Sequence, residues 1–380
     1  MRDYLRKDQP LRFAFPIDGD CINCNDGPVA DGGILITAQV EAPEGHEVEI
    51  ESVRAVYSDG CYRASVKITD KETVLTATDR TAGTACSVKV FRLKNPVGGY
   101  RLSSDDNIIF LADINDHKDE YNSIFDNPYL AVYKKAHDLY GAKVHLNLFY
   151  EFDDQSRSYF SKKREYFNLS MMTDKFKDEF IANSDWLKFS FHATGEFPNK
   201  PYRDADRQTV RREGERVLKE IVRFAGKEVL SGCTTVHWGE ANVEAAKELR
   251  DMGYKAMTGY FVDHPVAPVA YYAPYDLIRY VYNRDFWKDT ETDILFGRID
   301  IVVNCKTHEE NMQEIRSILD SKTRGGFLSL MIHEQYFYED YRLYLPDFEQ
   351  RVLEGCKLAA EAGRVGRWIC DVDDIGPLYE

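Results

Sequence analysis

Asn107-Ile108-Ile109-Phe110-Leu111-Ala112-Asp113-Ile114-Asn115-Asp116-His117 decides how the chain is read. Its first seven residues make a near-continuous apolar run that ends in a carboxylate. Such a run is expected of a strand in a parallel sheet, where both faces are covered. The polar residues from Asp113 to His117 then stand at the strand's C-terminal end.

C-terminal to this segment, strand and helix signals alternate. The spacing predicts a helix over 128–140, capped by Gly141, and then a strand over 143–150. Further strands are expected at 187–192, 233–236, 254–258, 299–303, 326–332 and 366–370. Between them lie helical patterns. Val210, Val217, Leu218 and Ile221 share one face over 206–225, and Asn242 caps a helix that stops at Gly253. Others run through Met312, Ile315 and Leu319, and through Phe348, Val352 and Cys356. Alternation of this length means a parallel sheet. About eight strands favour an irregular (β/α) barrel over an open doubly wound sheet. No glycine-rich phosphate loop follows a strand, so no nucleotide cofactor is expected.

N-terminal to residue 100 the period is two. Residues 33–40, 47–53, 61–68, 73–78 and 86–93 are rich in β-branched side chains and bounded by turns such as Ser58-Asp59-Gly60. They predict an all-β sandwich of immunoglobulin-like type. Pro96-Val97-Gly98-Gly99 reads as a hinge, giving a β-sandwich domain at 1–100 and a barrel domain at 101–380.

The net charge of −15 argues against nucleic acid or an anionic membrane as a partner, because both need a basic face. No apolar run reaches the roughly 20 residues of a bilayer span, and Met1 to Phe15 lacks the apolar stretch of a signal peptide. A cytoplasmic location is expected. Of the 8 cysteines only Cys21 and Cys24 form a CxxC; with no second such pair, free thiols are favoured over a structural zinc. Nothing in the sequence speaks to oligomeric state.

Chemistry in a (β/α) barrel sits at the C-terminal strand ends. Those ends carry Asp113 and Asp116, then His192 with Glu196, then His237-Trp238, and finally His333-Glu334-Gln335-Tyr336. Carboxylate and imidazole together are the usual ligands of zinc and similar divalent metals. His192 and Glu196 are spaced so that both can reach one ion from a single turn.

The order of these motifs resembles the polysaccharide deacetylases of carbohydrate esterase family 4. Phe110 to Asp116 (FLADIND) stands where that family has its paired aspartates, and Lys143 to Phe149 (KVHLNLF) resembles its aromatic second strand. His192-x-x-x-Glu196 stands at its His-x-x-x-His metal motif, with Glu for the second His. Thr235 to Gly239 occupies the groove motif without its Arg and Pro. Glu248 to Tyr254 (ELRDMGY) and Ser329 to His333 (SLMIH) match the later motifs, the latter ending in the family's catalytic-acid His.

The resemblance implies a metal-dependent hydrolase acting on the acylated nitrogen of a carbohydrate. Asp113 is then the base and His333 the acid. Asp116, His192 and Glu196 hold the metal, zinc by preference, with the two aspartate roles open to exchange. His237, Trp238, Glu334 and Tyr336 fall to substrate binding. Two other readings stay open: a metal-free glycoside hydrolase with paired carboxylates such as Asp113 and Glu196, and a non-catalytic glycan-binding protein.

Overall fold

The computed structural model describes residues 4–160, 164–262, 270–321, 323–373 and 378. Where the sequence alternates with period two, two antiparallel sheets form. One runs in the order Arg12–Phe15, Gly33–Glu41, Cys61–Ile68, Val56–Ser58, with Val29–Ala30 paired to Gly33–Glu41. The other runs Val53–Arg54, Val48–Ile50, Glu72–Asp79, Thr84–Phe91. Ile34, Ile36 and Val40 of the first share an apolar core with Ile50, Leu75 and Val90 of the second. The strand expected over 47–53 is broken at Glu51 and Ser52, both with positive φ, where the chain turns back on itself.

The second half is built on parallel strands. The central sheet has the order Leu187–Ala193, Val144–Phe149, Gly99–Asn107, Phe327–His333, Ile301–Val302. A second sheet has the order Cys233–Thr234, Ala256–Gly259, Ile294–Arg298, Phe286–Asp289, antiparallel only in its last pair. The sheets meet at two places: Ser231 N donates to Phe189 O, and segment 294–302 leaves the second sheet at Ile299, bonded to Gly259 O, and enters the central one at Asp300, bonded to Ser329 O. The architecture is thus mixed α/β on two sheets, and among the described residues the single closed ladder of the expected barrel is not formed. The expected last strand shrinks to Val365–Gly366, and Ile369–Val372 is a 3-10 turn.

The segment read first is the largest correction. The strand is Gly99–Asn107, and Ile109–Asp116 is a helix. In the strand, Tyr100 and Leu102 pack into the apolar core while Arg101, Ser103 and Asp105 face the other way. That polar face is hydrogen-bonded across the two sheets, although Arg101 Nη1 has no partner. Arg101 donates through Nε to Ser329 Oγ (2.8 Å) and through Nη2 to Ser103 Oγ and Thr258 Oγ1 (3.0 Å each). In the helix, Ile109, Phe110, Leu111 and Ile114 are buried, a helical spacing that a short run shares with a buried strand.

Glu334 fixes where that helix begins. Its fully buried carboxylate accepts from Ile108 N (2.6 Å), Ile109 N (2.8 Å) and Phe110 N (2.6 Å), and from the Tyr338 hydroxyl (3.0 Å). These are amides that a helix start leaves without partners. Glu334→Ala would strand them in the core, at about 1–3 kcal/mol per unsatisfied group. Urea denaturation should report a loss of at least about 3 kcal/mol; an unchanged midpoint would contradict this role.

The N-terminal sheets dock through charge as well as apolar contact. The half-buried Arg284 pairs with Asp20 (3.3 Å) and Asp26, and Trp287 Nε1 donates to Asp18 O (2.9 Å). Among the described residues no helix is long and apolar enough to cross a membrane.

Candidate metal and catalytic site

Neighbouring parallel strands deliver their C-terminal residues to one place. Gly99–Asn107 brings Asp105 and Asp106, Leu187–Ala193 brings His192, and the turn after Cys233–Thr234 brings His237. Three atoms converge there: Asp106 Oδ1, His192 Nε2 and His237 Nδ1. Their separations are 3.1, 3.3 and 3.2 Å. A tetrahedral ion with bonds of about 2.0–2.1 Å needs ligand atoms roughly 3.3 Å apart, so the set fits a zinc-like ion.

The outer nitrogens fix the tautomers. His192 Nδ1 donates to Thr235 O, and His237 Nε2 donates to Glu196 O (3.1 Å). Each ring therefore turns its other nitrogen inward, as a lone pair when neutral and as an N–H that Asp106 accepts when protonated, the arrangement that orients metal-binding histidines. Two such lone pairs 3.2 Å apart cannot bond to each other without a proton or a cation between them. Gln335 Nε2 donates to the second oxygen of Asp106 (3.0 Å), and Asp106 itself has φ 62°, an uncommon backbone state for a non-glycine residue.

Charge follows the same geometry. Burial would raise the Asp106 carboxyl, but hydrogen bonds from His192 and His237 overcome it and hold it well below the ordinary range. Burial opposes protonation of His192, yet the Asp106 hydrogen bond and the neighbouring carboxylates win and raise it. At His237 burial prevails and the ring stays neutral more readily than usual.

The signs define a pH test. In metal-free protein the raised His192 contributes stability that is complete below its ordinary value of 6.5 and fades as pH rises through the higher folded value. The depressed Asp106 contributes stability present above its ordinary 3.8 and lost as pH falls through the lower folded value. Metal must displace the His192 proton, so apparent affinity should climb by about tenfold per pH unit below that raised value and then level off. Competition titrations from pH 5.5 to 8.5 would read this; a flat profile would contradict it.

Beside the cluster lies a cavity of about 320 Å³, lined among others by Asp105, His192, Glu196, His237, Trp238 and His333. Asp105 is opposite His333 in the strand register, and its Oδ1 accepts from Asn147 Nδ2 (2.6 Å). His333 Nδ1 donates to Asn304 Oδ1 (2.9 Å), which leaves Nε2 as its free nitrogen. Trp238 stands at the mouth with φ 65° and its side chain 41% exposed. Tyr336 lines the same cavity, its ring 6.1 Å from that of His333.

The sequence-predicted residues divide accordingly. His192, His237, Glu196, Trp238, Tyr336 and His333 come together around the cavity. Asp113 and Asp116 do not: they lie on the exposed side of the helix and line a different hollow, with Asp113 Oδ2 held by Tyr121 (2.9 Å) and Asn127 (2.6 Å). The pairing of Asp113 with Glu196 in a two-carboxylate site fails for the same reason. Glu334 is a helix cap and does not line the cavity. Glu196 stands outside the three-atom cluster, with Oε2 4.0 Å from His237 Nε2 and without a hydrogen-bond partner. Burial and then the Asp106 charge push its carboxyl up to about 9. His237, read as a groove residue, supplies the inward nitrogen instead.

Asp105 and Asp106 were absent from the sequence-based site. The adjacent pair that the family resemblance calls for is present in Ser103-Ser104-Asp105-Asp106-Asn107. The alternation of Tyr100 and Leu102 with polar residues just before it is the signal that could have placed it at a strand end.

No family model and no curated protein matches the sequence. Among solved structures the chain is similar to a peptidoglycan N-acetylglucosamine deacetylase, at 8% identity and TM-score 0.38, over 75% of this chain and 92% of that one. It is also similar to a protein assigned as a polysaccharide deacetylase from Mycobacterium smegmatis, at 10% identity and TM-score 0.35, over 71% and 93%. A third is an FMN-binding beta-glucuronidase from Facaelibacterium prausnitzii, at 11% identity and TM-score 0.25, over 80% and 54%. These are loose likenesses, and the functional reading rests on the side chains above.

Proposed function

We propose that this chain is a metal-dependent hydrolase that removes an acyl group from the nitrogen of an amino sugar or polysaccharide. One observation carries the reading: two tautomer-fixed imidazoles and a carboxylate present ligand atoms to one point at 3.1–3.3 Å. Asp106, His192 and His237 would hold a divalent ion, zinc by preference. When bound, such an ion supplies Lewis acidity toward water and toward a carbonyl oxygen.

The chain's own residues supply the proton steps. Asp105, at the strand end and held by Asn147, accepts a proton from the attacking water, the role first expected of Asp113. His333, with Nε2 free, donates a proton to the nitrogen as the C–N bond breaks, so that carboxylate and amine leave. Trp238 and Tyr336 offer flat apolar faces to a sugar ring. The N-terminal sheets, read as an immunoglobulin-like sandwich, stand beside a catalytic domain that begins with the strand Gly99–Asn107, two residues before the expected boundary at 101.

The test is amine release from N-acylated glucosamine and its oligomers. Hydrolysis abolished by a chelator and restored by zinc, manganese or cobalt supports the proposal. Release that persists after complete metal removal defeats it.

A further inference from the structure

The cavity has a second half that the proton and metal chemistry does not use. Ile299, Val302 and Met331, each at most 7% exposed, form with Tyr260 an apolar cluster separate from the main core, and all four line the cavity. They come from the strand ends beyond those that carry the three metal-site residues. Val302 is paired with Met331, and Met331 lies two residues before His333 on the same face of its strand. The alcove is therefore deeper than His333.

The mouth is different in character. Trp238 and Tyr159 stand there at 41% and 38% exposure. A bulky amine such as a sugar fits at the mouth, which sends the acyl group inward. The whole cavity, about 320 Å³, is at the small end of ligand sites and equals the liquid volume of about ten waters. An acetyl methyl would leave most of the apolar wall uncovered, and such walls hold water poorly.

Resting on the hydrolase reading, we infer that the acyl group removed is apolar and longer than acetyl, on the order of four to six carbons, and that it seats on Ile299, Val302 and Met331. The substrate is then a small N-acylated amine or a chain end, with its acyl tail buried.

Metal-supplemented protein would be assayed with N-acetyl, N-butanoyl and N-hexanoyl glucosamine, and with N-acetyl alkylamines of matching length. Binding of acetamide, butanamide and hexanamide would be followed by calorimetry, with and without metal. The expected result is a rise of roughly fourfold in kcat/KM and in affinity per added methylene on the acyl side, with no such rise on the amine side. Val302→Trp should flatten both series, and Ile299→Phe serves as a second filling variant should the first fold poorly. An acyl series that is flat or falling, or a rise confined to the amine side, overturns the inference. The metal-free binding series keeps the two readings apart: chain-length preference without hydrolysis counts against the hydrolase alone, and hydrolysis without the preference counts against the alcove alone.

Discussion

Replacing His237 by alanine should empty the metal site and lower hydrolysis by more than the roughly 100-fold that losing a hydrogen-bond partner of a metal ligand costs. His237 Nδ1 is one of three inward atoms, and its other nitrogen is committed to Glu196 O. Among the described residues no other imidazole lies within the cluster. Asp106 and His192 are bonded to each other directly, at 3.1 Å, so the site should stay folded while losing its third ligand. Metal content and kcat/KM measured on the same preparations would check this. Retained stoichiometric metal with only a raised KM would return His237 to the substrate groove.

Asp105→Asn should do the opposite: keep the metal and lose the reaction. Asp105 is not among the three converging atoms, yet it borders the cavity and stands opposite His333. An amide there keeps the shape but cannot accept the proton, and general-base losses run at about 10²–10⁴ in kcat. Asp113→Asn, on the helix, should leave kcat within a factor of about two, as expected for a partly exposed site away from the chemistry. Equal losses in the two variants would contradict the assignment of the base.

Why the sequence put the strand-end carboxylate at Asp113 follows from two adjacent segments. Gly99–Asn107 is a central strand with one polar face: Arg101 meets the Ser329 and Thr258 hydroxyls, Ser103 donates to Leu330 O and Asp105 accepts from Asn147. A strand with a polar face offers no continuous apolar run, and the apolar run in this part of the chain follows it. Ile109–Asp116 is apolar on a helical spacing, but eight residues are too few to tell period 3.6 from a buried strand. His192 and His333 were legible because Leu187–Ala193 and Phe327–His333 are mostly apolar strands with a His at or next to the C-terminal residue. His237 was found as a residue but not as a ligand, since only the fold reveals that its Nδ1 meets His192 Nε2. Glu334 illustrates a different limit: a glutamate beside a catalytic-type His reads as site chemistry, while the three amides it caps lie more than 220 residues away.

The most direct measurement is metal stoichiometry in protein purified without chelator, for the wild type, His192→Ala and the double variant Asp113→Ala/Asp116→Ala. About one equivalent of divalent metal in the wild type and in the aspartate double variant, and none in His192→Ala, is the predicted result. A wild type that takes up no zinc, manganese or cobalt even on incubation, or metal lost from the aspartate double variant but kept in His192→Ala, would contradict it.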